Sequence, residues 1–219
     1  MDKNEAFDTI RAESKKIIEN LEIWLRRLVD DILTEKYGNN YIDYKFNDGR
    51  NLINNDITGR ARTRVNKNKK RYSRIIDAFE LGDIIKVLCN PENWKLFRTA
   101  LVNSFQTNER ARDELEKVER IRNKLYHANH ISNHEALTVN YVSTETINSL
   151  QEYYKNMTEK QMYNAPTIIR IRDSEGNDFH STQIIRNKTE GGRCNVSDPI
   201  FVGTKLSIEV NFDPTFDKK

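Results

Sequence analysis

Arg120-Ile121-Arg122-Asn123-Lys124-Leu125-Tyr126-His127 is the stretch of this 219-residue chain whose residue types can do chemistry. Helical spacing places Asn123 and His127, four apart, on one face, while Ile121 and Leu125 point into a core. Arg120 precedes His127 by seven residues and lies nearly on its face. Arg122 precedes it by five, about 140° around an ideal helix, and reaches the imidazole only with its long stem or where the last turn relaxes. Geometry alone prefers Arg120. An imidazole can take a proton from a ribose 2′-hydroxyl or give one to a leaving oxygen. A guanidinium can hold charge on the attacked phosphate through paired donors, and an asparagine amide can orient either group. Such a set suits RNA cleavage without metal. The plainer reading is a helix-end histidine favoured by the helix dipole, with solvated arginines nearby.

Two other constellations compete for attention. His127, His130 and His134 with Glu135 raise a metal site, but the spacing is not that of a standard zinc module and no cysteine assists. Arg60, Arg62, Arg64, Lys67, Lys69, Lys70, Arg71 and Arg74 form a run without an acid. That run can hold RNA phosphates electrostatically, or it can be a solvated segment balancing an acidic remainder. Tyr72 is the one base-stacking ring within it, so nonspecific RNA contact is expected rather than sequence readout. Cys89 and Cys194 lack a framework of paired spacings and read as reduced intracellular thiols. There is no Gly-rich phosphate loop, nucleophile elbow or paired-carboxylate signature, which leaves kinase, esterase and glycosidase readings without a foothold. Asp213 to Asp217 reads as a turn with too few ligands for calcium.

The elements that must position these residues are mostly helical. The composition is 37% hydrophobic and 32% charged, with 8 Gly and 4 Pro, and no run approaches the roughly 20 apolar residues of a membrane span. The polar start, Met1 to Glu5, lacks the apolar run of a secretory signal, so a cytoplasmic chain is expected. Phe7, Ile10, Ile17, Leu21, Trp24, Leu25, Leu28, Val29, Ile32 and Leu33 recur at threes and fours as one face of a long helix closed by Gly38. Tyr41 to Asn55 reads as a loop; the basic run after it is a helix or an ordered loop. Ile75 to Phe79 is a short apolar piece, and Gly82 to Leu88 supplies one or two buried turns. Asn90-Pro91 starts the next helix, with the stripe Trp94, Phe97, Leu101, Val102 and Phe105. Thr107 caps another, with Leu115, Val118, Ile121 and Leu125 inward. Asn129 to Asn133 breaks it, and Leu137, Tyr141, Ile147, Leu150 and Tyr154 mark a last helix. Trp24 and Trp94 read as core.

Beyond Asn164-Ala165-Pro166 the period becomes two. Residues 1–160 hold 4 Gly and 1 Pro, the remaining 59 hold 4 Gly and 3 Pro, and this change marks a boundary. Ile169 and Ile171, Phe179 with Ile184, and Leu206, Ile208 and Val210 read as strands around an Asp173 to Asn177 turn and a Gly191-Gly192 loop. The expectation is a mainly α protein: a helical bundle over residues 1–160 and a small β-strand appendage over 165–219.

The motif resembles the RN-x-x-x-H motif of the HEPN superfamily, and the likeness extends to other segments. "LEIWLRRLVDDILTEKYG" is similar to the long first helix of prokaryotic defence-type members. "ELGDIIKVL", "NPENWKLF" and "ELEKVERIRNKLYHANHIS" follow in the family's order, so residues 5–160 are covered. The resemblance implies an antiparallel helical bundle and a metal-independent, cofactor-free endoribonuclease. It implies Arg122 and His127 as catalytic, Asn123 as the accompanying polar residue, and two protomers forming one cleft. A longer arginine-to-histidine spacing is tolerated in the family, which keeps Arg120 as a candidate. It further implies 2′-hydroxyl attack leaving a 2′,3′-cyclic phosphate, and a toxin or anti-phage role held in check by an antitoxin or other regulatory protein. The alternative is a non-catalytic HEPN module that binds RNA, nucleotide or a partner protein. The basic run and the β appendage lie outside the family pattern.

Overall fold

A computed structural model describes residues 3–157, 168–180, 185–187, 191–193 and 206–212. It is mainly helical, with a small antiparallel sheet near the C-terminus. The chain divides into two compact units, Met1–Tyr163 and Asn164–Lys219.

In the first unit, α1 (Lys3–Tyr37) buries Ile18, Leu21, Trp24, Leu25, Leu28, Val29 and Leu33, one continuous stripe at helical spacing. It ends at Gly38, whose φ of +81° is a left-handed conformation that glycine adopts without strain and whose N–H donates to the Thr34 carbonyl. The segment after it is ordered by burial of Tyr41, Leu52 and Ile53, with a 3-10 turn at Tyr41–Asp43. Asn54 caps α2 (Asn55–Lys67), so the first half of the basic run is a helix. A second 3-10 turn, Ile76–Ala78, leads into α3 (Leu81–Leu88), and α4 (Pro91–Leu101) follows its Asn90 cap with Pro at the first turn. Thr107 caps α5 (Asn108–Tyr126), which buries Ala111, Leu115, Val118, Ile121 and Leu125; α6 (Asn133–Met157) completes the bundle. Helices α1, α5 and α6 pack mutually, and α3 leans on α1 and α5.

Several sequence expectations are corrected. Leu137 and Tyr141 lie on α6 but are 69% and 68% exposed. Ile147, Leu150 and Tyr154 are buried as expected, and the other inward positions go to Val139, Val142, Ser143, Thr146 and Ser149. Two of these hydroxyls are satisfied in the packing: Thr146 donates to the Val142 carbonyl and Ser149 to the Ala100 carbonyl. Small hydroxylated side chains thus share the close-packed face with Val139, Val142, Ile147, Leu150 and Tyr154, and Leu137 and Tyr141 are left outside. Val102 is exposed because it follows the last turn of α4, off the buried Phe97–Leu101 line, and Trp94 is only partly buried at the core's edge.

In the second unit, β1 (Ile168–Asp173) pairs antiparallel with β2 (Asp178–His180) and β5 (Ile208–Phe212), in the order β2-β1-β5. The Asp173–Asn177 turn closes on the Asp173 carboxylate, which accepts from the backbone N–H of Glu175 and Asn177. β3 (Ile185–Asn187) and β4 (Gly191–Arg193) form a hairpin, so Gly191 and Gly192, expected in a loop, are strand residues paired with Asn187 and Arg186. Leu206 precedes β5 rather than belonging to it. Ile184, Cys194, the Asn164–Pro166 boundary and the Asp213 to Asp217 turn lie outside the described residues.

Candidate functional site

His127 is the C-cap of α5 and is exposed. The chain reverses through Ala128, whose φ of +59° makes it the one non-glycine left-handed residue among those described. The N–H of Asn129 donates to the Lys124 carbonyl and that of Ala128 to the Leu125 carbonyl, the pair of bonds that closes a helix with a left-handed residue just after its cap. From α1, Arg11 Nη2 donates to the same Leu125 carbonyl at 3.1 Å. The turn bearing the imidazole is therefore tied to a second helix.

Arg122 faces α1. Its side chain is 16% exposed, and Nε lies 3.4 Å from Glu22 Oε2, an ion pair without hydrogen-bond alignment that leaves Nε with no hydrogen-bond partner. Its guanidinium sits 4.6 Å from the centroid of the Tyr126 ring, and Nη1 is 3.4 Å from Asn123 Oδ1. Tyr126 is fixed in turn by donating its hydroxyl to Glu19, 2.9 Å away. Burial and that carboxylate push the phenol up to about 12, so it stays a neutral donor. Glu22 is shared, accepting from Arg26 at 2.7 Å. Glu119, one turn before Asn123, is held above the ordinary carboxylate range by burial, against the opposing pull of Lys86 and Arg122.

Arg122, Asn123 and His127 thus belong to one terminal turn and its flank. Arg120 is exposed on the outer surface of α5, along a groove with Glu116 and Lys117. Sequence reasoning missed Arg11, Glu19 and Glu22, because they stand about a hundred residues upstream and only folding brings them near. Tyr126 was visible inside the motif, as an aromatic at the helix end with a polar tip.

Half of the basic run is used internally. Arg60 and Arg64 both bind the buried Asp83, at 2.5 and 2.7 Å, and Arg64 also reaches Glu80 at 2.8 Å. Arg62 pairs with Asp43, and Arg74 makes a two-pronged contact with Asp30. Lys67, Lys69, Lys70 and Arg71 stay exposed at the end of α2 and in the turn after it, with Arg71 over the Tyr72 ring. The segment is an ion-paired helix with a short cationic tip.

Among the described residues, no three His, Cys, Asp or Glu side chains gather as a metal site. Glu135 of the competing histidine cluster accepts instead from Lys124 and from the Ser132 backbone. Cys89 is buried and its thiol is pushed up to about 12, which keeps it protonated and unreactive. No known family pattern, curated protein or solved structure matches the chain.

Proposed function

We propose that this chain is a metal-independent endoribonuclease of the HEPN type, with His127 as the proton-transfer group and Arg122 as the phosphate-holding one. The observation that carries the reading is that one helix end bears an exposed imidazole on a pinned turn and, five residues earlier, a guanidinium that is packed yet keeps Nε without a hydrogen-bond partner. Arg122 is oriented by Glu22 and Tyr126. Among the described residues, the hydrogen-bond contact of its outer nitrogens is a distant one to Asn123 at 3.4 Å, which a phosphate oxygen can displace. His127 removes the 2′-hydroxyl proton as that oxygen attacks the adjacent phosphorus; the P–O5′ bond breaks, the departing O5′ takes a proton from water, and the imidazolium returns its proton to solvent. The products are a 2′,3′-cyclic phosphate and a 5′-hydroxyl. Arg122 stabilises charge on the non-bridging oxygens, and Asn123, exposed between the two, orients the phosphate. The exposed Lys67–Arg71 cations attract the RNA backbone without reading sequence.

The resemblance extends the proposal to a homodimer whose two motifs share a cleft, acting as a toxin or anti-phage effector under a regulatory partner. A second reading has one observation in its favour: Glu22 already offsets part of the Arg122 charge, as suits a module that binds RNA or nucleotide without cutting it. Incubating the protein with total RNA beside His127→Ala separates the two. The nuclease produces cyclic-phosphate ends that the variant does not, whereas the binding module retains RNA intact in both.

A further inference from the structure

Arg11, Lys15, Glu19 and Glu22 follow one another along α1 at helical spacing, and each meets the end of α5. Three of them hold the scaffold of that end. Arg11 donates to the Leu125 carbonyl at 3.1 Å, Lys15 stands 5.1 Å from the centroid of the Tyr126 ring, and Glu19 accepts the Tyr126 hydroxyl at 2.9 Å. Glu22, the fourth, holds the reactive cation itself.

Glu22 treats its two arginine neighbours unequally. Its Oε1 accepts from Arg26 Nη2 at 2.7 Å, and the same nitrogen donates to the Phe79 carbonyl at 2.8 Å, so this contact is aligned and anchored. Its Oε2 lies 3.4 Å from Arg122 Nε without hydrogen-bond alignment, and that Nε is buried with no hydrogen-bond partner. The Glu22 and Arg122 side chains are 15% and 16% exposed, which leaves their attraction only partly screened. A buried N–H that faces a carboxylate without bonding it is a costly donor, and a phosphate oxygen carries the charge to replace that carboxylate with better alignment. When Arg122 turns to a phosphate, Glu22 keeps its aligned bond to Arg26, so no carboxylate is stranded by the exchange.

We infer that Glu22 is the resting counter-ion of Arg122, an internal stand-in for the substrate phosphate that RNA must displace before the guanidinium acts. The inference rests on the nuclease reading of the α5 terminus and adds its regulation: the first helix restrains the site. Arg11, Lys15 and Glu19 keep the turn in place while the guanidinium alone changes partner. Because Glu22 competes with RNA, removing its charge and keeping its shape should tighten binding. A carboxylate that does no more than orient Arg122 gives the opposite sign.

The test is the affinity for a short fluorescein-labelled single-stranded RNA, read by anisotropy in the His127→Ala background so that the RNA stays intact. Glu22→Gln, which retains an acceptor oxygen for Arg26, should tighten binding by about three- to fivefold, the scale of one partly screened ion pair. Glu13→Gln, at an exposed acid of the same helix, reports the loss of any one negative charge and should stay within about a factor of two. The gain from Glu22→Gln should vanish when Arg122→Ala is added, since no cation is then left to exchange. Without any change at Glu22, saturating RNA should shift the Arg122 Nε–H signal in a side-chain NMR spectrum. The proposal is overturned by an unchanged or weaker affinity in Glu22→Gln, by a gain no larger than that of Glu13→Gln, by a gain that survives Arg122→Ala, or by an Nε–H signal that stays still. Failure of the wild type to cleave RNA defeats the nuclease reading instead, and the affinities still decide the exchange.

Discussion

Arg122 and Arg120 sit two residues apart on one helix and have different surroundings. Arg122 is wedged against α1 by Glu22 and Tyr126, while Arg120 stands among solvated charges. If the guanidinium acts on the attacked phosphate, Arg122→Ala should lower kcat by about 10²–10³, the loss typical of removing a charge-stabilising donor, and Arg120→Ala should stay within a few-fold. Single-turnover cleavage of a labelled RNA by the two variants, side by side, makes the comparison; equal losses would contradict the assignment. Projection on an ideal helix favours Arg120, since it counts only positions around α5. What aims Arg122 is a carboxylate a hundred residues upstream, and no local spacing contains that information. That Asn123 and His127 share the exposed end of α5 was legible from the four-residue interval, whereas the tie of that turn to α1 through Arg11 was not.

The end of α5 closes through a left-handed Ala128, where its Cβ meets the backbone and glycine does not. Ala128→Gly should therefore stabilise the protein by about 0.5–1 kcal/mol in urea unfolding, after allowance for glycine's greater freedom in the unfolded chain. A loss of stability would show that the methyl packs usefully. The capping of α3 rests on Asp83, 4% exposed and bound by Arg60 and Arg64. Burial by itself would raise this carboxyl, but the Arg60 and Arg64 hydrogen bonds outweigh it and hold the group below its ordinary 3.8. Its folded value being depressed, its contribution is present above that ordinary value and drains away as pH falls through the folded one. Asp31, raised by burial, works in the opposite sense, so the comparison must be against Asp83→Asn. That variant should flatten the acid-side slope, and Asp83→Ala should cost about 1–2 kcal/mol by removing the α3 cap and the shared acceptor of Arg60 and Arg64, the latter keeping Glu80. An unchanged acid profile would remove Asp83 from the account. Helices α1, α4 and α5 were readable because their apolar periods and caps agree. On α6 the stripe was read correctly at Ile147, Leu150 and Tyr154 and misread at Leu137 and Tyr141, since part of the buried face is held by Ser143, Thr146 and Ser149, which no apolar pattern marks.

Across the molecule, the formal charge of +3 understates how unevenly cations are available. The basic run looked in sequence like eight free charges; Asp30, Asp43, Glu80 and Asp83, distant in sequence, tie up Arg60, Arg62, Arg64 and Arg74 and leave four. RNA affinity should therefore fall with salt, and replacing Lys67, Lys69, Lys70 and Arg71 by Gln should reduce the slope of log affinity against log salt by up to about 0.7 per lost phosphate contact without altering the chemical step. An unchanged slope would return the tip to a solvated surface. The central claim is more directly exposed by one assay: wild type and His127→Ala incubated with RNA in EDTA, with the ends of the fragments identified. Wild type alone should give 2′,3′-cyclic phosphate and 5′-hydroxyl ends, with rates at least about 10²-fold lower in a variant that melts normally. Equal cleavage by the two proteins, or cleavage that requires a divalent ion, would contradict it.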